Sequence, residues 1–140
     1  MMKTNVIKCM VTTFALTTAQ FAFATNCTSS VNNSAVQDLT VPAGATCTLN
    51  NTGVSGSVSV QKGATLILNN ASVQGSVQAS TAKSIKLVNS MIEGDLNVAQ
   101  ASSTIILNKS MISGNLYCSS LTKLQSSNSM IEGKTIGKCK

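Results

Sequence analysis

Apolar residues recur along this chain in a frame that repeats every 19 or 20 residues. The frame is anchored by glycines at the same spacing, namely Gly56, Gly75, Gly94, Gly114 and Gly133. Apolar residues stand two positions before each glycine and, except after Gly133, two and four positions after it; in the first unit these are Val54, Val58 and Val60. The alternation predicts one strand with a buried face. The glycine falls on that face, where it leaves room for larger neighbours or permits a bend.

A second apolar strand precedes the first in every unit, with Cys47 and Leu49 as its inward residues in the first of them. Between the two strands stands a corner column, which holds Lys109 in one unit and asparagine in the others: Asn51, Asn70, Asn89 and Asn128. Asparagine tolerates left-handed backbone geometry, and stacked amides can hydrogen-bond from coil to coil. The column therefore predicts a structural asparagine ladder.

A self-similar unit of about 20 residues is typical of a stacked repeat in which each unit forms one coil. A leucine-rich repeat has a similar period, but its Leu-x-x-Leu-x-Leu pattern is not present. An antiparallel sandwich would not require a strict period. With a shortened unit that begins near Asn32, the sequence predicts an all-β parallel β-helix (solenoid) of about six coils.

The first 24 residues have the pattern of a secretory signal peptide: Lys3 and Lys8, then an apolar stretch, then the small-x-small end Ala22-Phe23-Ala24. A transmembrane anchor is the alternative, but the stretch is short and lacks basic residues after it. We therefore expect a signal peptide at residues 1–24 and a single β-helix domain at residues 25–140. The expected location is secreted or periplasmic, with no membrane span after cleavage.

Four cysteines lie outside the leader in two pairs, Cys27 with Cys47 and Cys118 with Cys139, each separated by about one repeat. Residues one coil apart lie about 4.8 Å from each other, which is within the reach of a disulfide. We predict one disulfide at each end of the stack, formed in an oxidising compartment. No metal site and no cofactor are predicted, because the chain has no histidine and no CxxC spacing.

Residues 31–139 resemble a small right-handed parallel β-helix through their period and their asparagine and aliphatic columns. Bacterial adhesin passengers, polysaccharide-processing enzymes and bactofilin-like scaffolds have this architecture. The resemblance implies a bacterial structural or binding protein of the adhesin-like, secreted type. Bactofilins lack an export signal, so the leader disfavours that group.

Catalysis would depend on carboxylates, since a chain without histidine cannot assemble a Ser-His-Asp or Cys-His site. The candidates are Glu93, Asp95 and Glu132, which are expected to point outward. Two rungs, or about 9.6 Å, would separate the two glutamates, near the upper limit for an inverting pair. The surrounding residues are mostly Ser and Gln, without an aromatic platform for a sugar, which favours solvated acids. A polysaccharide-active lyase or hydrolase remains the enzymatic alternative.

Two further features indicate an interaction surface. One is a column of methionines three residues before successive glycines, Met91, Met111 and Met130, for which packing at a corner is the alternative. The other is the set of C-terminal lysines, which includes Lys123, Lys134 and Lys138. These lysines are suited to an anionic surface or polysaccharide, or simply to solubility.

We therefore expect a non-catalytic scaffold or binding module whose partner is a glycan, a cell surface or another protein. Nucleic acid is not an expected partner, because arginine and exposed aromatic runs are absent. A self-assembling structural subunit, a homo-oligomer formed by end or side stacking, is the second alternative.

Overall fold

The computed structural model describes residues 24–100 and 102–140, and these residues form three parallel β-sheets with no helix among them. Each coil contributes one strand to each sheet in turn. The predicted all-β solenoid of about six coils is therefore confirmed. The predicted signal peptide lies outside the described residues, except for Ala24.

The three sheets are named here by the order in which the chain enters them. The first sheet contains β1 (Thr25–Asn26), β4 (Leu39–Val41), β7 (Val58–Val60), β10 (Val77–Gln78), β13 (Leu96–Asn97), β16 (Leu116–Tyr117) and β19 (Thr135–Ile136). The second contains β2 (Ser30–Asn32), β5 (Thr46–Asn50), β8 (Thr65–Asn69), β11 (Ser84–Val88), β14 (Thr104–Asn108) and β17 (Lys123–Ser127). The third contains β3 (Ala35–Val36), β6 (Gly53–Val54), β9 (Ser72–Val73), β12 (Met91–Ile92), β15 (Met111–Ile112) and β18 (Met130–Ile131).

Equivalent residues of successive coils pair directly, so each column of the sequence becomes a file that runs along the axis. In the second sheet, Leu49 pairs with Leu68, Leu68 with Leu87, and Leu87 with Leu107. These leucines are fully buried, as are Ile85 and Ile105, which stand two positions before Leu87 and Leu107. The core is thus a stack of aliphatic layers, and the period-two alternation of the sequence sets which side chains enter it.

The recurring glycine lies at a corner and not within a strand. The segment Val54–Val60, predicted as one strand, is divided into β6 and β7, which belong to different sheets. The glycines are only partly buried. A methyl group on Gly94 would stand 2.6 Å from the carbonyl oxygen of Gly75, because the backbones of successive coils are in close contact there. The glycine column therefore permits a bend, and the cross-section has three sides.

Both ends of the stack are closed by a disulfide, as predicted. Cys27 is bonded to Cys47 and Cys118 to Cys139, with Cα atoms 5.4 and 5.5 Å apart. Beyond the second disulfide, the N–H of Lys140 donates to the Thr122 carbonyl at 2.8 Å, and the Lys140 carbonyl accepts from the N–H of Leu124 at 2.6 Å, so Lys140 pairs with the start of β17.

No helix long and apolar enough to cross a membrane occurs in residues 24–100 and 102–140.

Candidate binding groove

The predicted catalytic acids are not assembled into a site. Backbone hydrogen bonds place Glu93, Ser113 and Glu132 in one column, so Ser113 separates the two exposed glutamates. Asp95 is partly buried, and its Oδ1 accepts a hydrogen bond from the backbone N–H of Asn115 at 2.6 Å. One acid of the proposed trio therefore serves as a backbone acceptor.

The same acceptor role recurs along that corner of the solenoid. Asp38 Oδ1 accepts from the Ser57 N–H at 2.9 Å. The side-chain Oδ1 of Asn115 accepts a hydrogen bond from the backbone N–H of Lys134 at 2.8 Å. Side chains in this column thus bond the backbone of the next coil, where the bend after the glycine interrupts sheet pairing. A structural function accounts for these aspartates.

An open groove lies along a different corner, between the second and third sheets. It runs parallel to the axis across five coils, a length of about 19 Å at 4.8 Å per rung, and its volume is about 840 Å³. Its two walls and its floor are each formed by one column of the repeat. The groove therefore repeats the same three backbone positions at each rung, while the side chains at these positions change along its length.

The first wall is the predicted asparagine column together with Lys109. All of its residues have a left-handed backbone, with φ between 46° and 50°: Asn51, Asn70, Asn89, Lys109 and Asn128. The side-chain ladder expected in this column is limited to its start, where Asn51 donates to Asn33 at 3.2 Å. In the described residues, no amide–amide hydrogen bond continues it through Asn70, Asn89 and Asn128. These three asparagines are exposed and line the groove.

A longer amide ladder runs one residue earlier in the sequence. Asn69 donates to Asn50 at 2.9 Å, and Asn50 donates to Asn32 at 2.7 Å. Val88 occupies the next position of this column and ends the ladder. The signal for it was present as the doublets Asn32-Asn33, Asn50-Asn51 and Asn69-Asn70. The sequence interpretation used only the second residue of each doublet.

The floor is a column of small residues directly after the asparagines: Thr52, Ala71, Ser90 and Ser110. Ser110 Oγ accepts the Ser90 N–H at 3.2 Å and donates to the Asn108 carbonyl at 2.8 Å. Ser90 Oγ likewise accepts the Ala71 N–H at 3.1 Å. Because these hydroxyls satisfy the backbone of the corner, ligand contacts would come mainly from the two walls. Sequence reasoning missed this column, although its Ser/Thr identity recurs.

The second wall starts with small residues and continues with methionines: Gly53, Ser72, Met91, Met111 and Met130. The methionines pair in register across β12, β15 and β18. Met91 and Met111 are half-buried, whereas Met130 is exposed. The methionine column thus forms an apolar wall of the groove over its C-terminal part.

Lys109 is the one charged residue among those that line the groove. The lysines that were predicted as an interaction surface, Lys123, Lys134 and Lys138, are exposed in the C-terminal part of the chain and do not line it. Within residues 24–100 and 102–140, no cluster of three or more His, Cys, Asp or Glu residues is suited to hold a metal ion.

Comparisons with protein-family models, with curated proteins and with solved structures find no match to this chain. Function must therefore be argued from the chemistry of the site.

Proposed function

We propose that this protein is an exported, non-catalytic β-solenoid that binds an extended polymer along the groove. The observation that carries the proposal is a concave surface along which asparagine recurs in four of five successive coils and methionine in three of them. A repeating surface of this kind is suited to a repeating ligand, such as a glycan chain on a cell surface. The leader pattern and the two disulfides support export.

The walls supply the two kinds of contact that a carbohydrate or similar polymer requires. The amides of Asn70 and Asn89 offer donors and acceptors at a regular spacing. Methionine side chains such as Met111 offer an adaptable apolar surface. Concave sites usually combine a largely apolar lining with a few placed polar groups. Binding of this kind accords with an adhesin-like role.

A binding experiment tests the proposal. The chain is expressed for export, purified with both disulfides formed, and applied to a panel of immobilised polysaccharides and to intact cells. The variant N70G/N89G removes two amides while glycine keeps the left-handed backbone. We expect binding by the unaltered protein and at least a tenfold loss in the variant. Gln78→Ala, on the exposed face of β10, is the control and keeps full affinity.

Two outcomes would overturn the proposal. One is the absence of binding to every polymer and cell type, and the other is equal binding by the N70G/N89G variant. Release of oligosaccharide products that disappears in Glu93→Gln would instead establish the enzymatic alternative.

Self-assembly is the second candidate function, and the terminal coil favours it. The large apolar side chains that are most exposed in the described residues all belong to this coil: Leu121 at 64%, Met130 at 60% and Ile136 at 43%. Strands β17, β18 and β19 are also edge strands there, with β17 covered at its start by Lys140, and exposed edges promote pairing between chains. Light scattering at increasing protein concentration tests this function. Growth of the particle that is suppressed in L121S/I136S supports assembly, and a constant monomer mass excludes it.

A further inference from the structure

Lys109 occupies a backbone position that suits asparagine better than lysine. Its φ of 49° is in the left-handed region, as are those of the asparagines in the same column. Left-handed geometry costs ordinary residues about 1 kcal/mol or more, whereas asparagine adopts it readily. The Lys109 N–H donates to the Ser127 carbonyl at 2.9 Å, so its backbone is bonded as in the other coils. Folding alone would therefore favour asparagine at this position.

The surroundings of Lys109 contain no acidic partner among the groove residues. The lining consists of Asn, Ser, Thr, Ala, Gly and Met side chains besides this single lysine. Lys109 is exposed and occupies the coil between those of Asn89 and Asn128, so its ammonium group gives the groove one positive charge. Conformational strain that a fold does not require is often associated with a functional site.

Building on the proposed function, we infer that the groove binds an anionic polysaccharide, with Lys109 paired to a carboxylate or sulfate of one sugar unit. The methionine wall then contacts the apolar faces of the sugar rings, and the asparagine amides bond their hydroxyl groups. Lys109 fixes the position of the polysaccharide along the groove, because the other residues that line the groove are uncharged.

The spacing of the rungs disfavours an extended acidic peptide as the ligand. Rungs repeat at about 4.8 Å, whereas same-side residues of an extended peptide repeat at about 6.6 Å. A peptide would therefore fall out of step with the asparagine column within two or three rungs.

The test compares Lys109→Asn with Lys86→Asn in the disulfide-bonded full chain. Lys86→Asn removes the same charge from the exposed face of β11, outside the groove. The probes are polygalacturonate, its methyl-esterified neutral form, dextran sulfate and poly-glutamate. We expect Lys109→Asn to weaken polygalacturonate binding about fivefold, as for a single partly exposed ion pair, and to leave the esterified polymer unaffected. Lys86→Asn is expected to change neither. Thermal melting should show Lys109→Asn to be at least as stable as the unaltered protein.

Other results would overturn or refine the inference. Equal polygalacturonate affinity of the two variants would overturn the role of Lys109. If Lys109→Asn weakens the binding of dextran sulfate more than the binding of polygalacturonate, the anion that Lys109 pairs with is a sulfate and not a carboxylate. Tighter binding of poly-glutamate than of either polysaccharide would overturn the polysaccharide assignment. Equal binding of neutral and anionic polymers would overturn this inference but keep the proposed function, whereas no binding at all would remove both.

Discussion

The carboxylate of Asp95 accepts a hydrogen bond from the backbone N–H of Asn115, which lies one coil further along the chain. The two atoms are 2.6 Å apart, and both residues are partly buried. The bond replaces sheet pairing at a corner, where the bend turns the backbone away from the strand direction. Asp95, the most buried of the three candidate acids, therefore has a structural role.

Removing this acceptor is expected to destabilise the solenoid. In Asp95→Ala the Asn115 N–H loses its partner, which costs about 1–2 kcal/mol. Asp95→Asn keeps an oxygen in place and should lose less than half of that. Urea denaturation of the three proteins provides the measurement, and binding to polysaccharide should be unaffected in both variants. Equal stability of Asp95→Ala and the unaltered chain would contradict the structural role.

The floor of the groove contains one position where a hydroxyl is missing. Ala71 stands in the column between Thr52 and Ser90, and its methyl side chain can neither accept nor donate a hydrogen bond. In Ala71→Ser we expect the new hydroxyl to accept from the Thr52 N–H and donate to the Asn69 carbonyl, by analogy with the bonds that Ser90 and Ser110 make in their coils. We expect a gain of about 0.5–1 kcal/mol in the free energy of unfolding.

The matched variant Ser90→Ala removes an existing acceptor from the Ala71 N–H and should lose about 1–2 kcal/mol. Thermal or urea denaturation checks both changes. If Ala71→Ser is neutral or destabilising while Ser90→Ala is destabilising, the free space above Thr52 is too small for the hydroxyl.

The glycines of the chain differ in what an added methyl group would meet. At Gly94 it would approach the carbonyl oxygen of Gly75 at 2.6 Å and the carbonyl carbon at 2.7 Å. Both atoms belong to the backbone, so relief requires the coils to separate, and Gly94→Ala should cost about 2–3 kcal/mol. At Gly63, with φ of 70°, no atom lies within 4 Å.

Gly63→Ala should therefore cost only about 1 kcal/mol, from backbone strain alone. Gly63→Asn should recover most of this loss, since asparagine adopts left-handed geometry. Melting temperatures of the three variants rank the effects. A larger loss for Gly63→Ala than for Gly94→Ala would contradict the close contact between coils.

Each disulfide closes a loop of about one coil, with sequence separations of 20 and 21 residues. Loops of this length are expected to contribute about 3 kcal/mol each. C118S/C139S should therefore lose about that amount and expose the terminal coil first. Hydrogen exchange should become fast in β17, β18 and β19 while β8 and β11 remain protected.

C27S/C47S provides the matched comparison at the other end, where exchange should become fast in β1 to β3. Peptide mapping without reduction checks the pairing itself. Uniform loss of protection along the whole chain in either variant would show that the ends do not open independently.

The sequence by itself determined the period, the parallel β-solenoid, the two disulfides and the identity of the buried columns. It could do so because every coil repeats the same local requirement: an apolar residue at alternate positions, asparagine at a left-handed corner, and cysteines one coil apart. Repetition turns weak local signals such as Val54 or Leu68 into a regular pattern. A departure from the repeat in one coil, such as Lys109 in the asparagine column, does not hide this pattern.

Only the tertiary structure decided what lies at the corners. The bend at the glycine column depends on the contact between the Gly94 and Gly75 backbones, which alternation alone cannot reveal, because a continuous strand and a bent one place the same residues inward. The groove exists because two sheets meet at an angle, and that angle brings the asparagine and methionine columns to face each other. The hydrogen bond of Asp95 to Asn115 and that of Lys109 to Ser127 also depend on tertiary structure, because each joins residues about one coil apart in the chain.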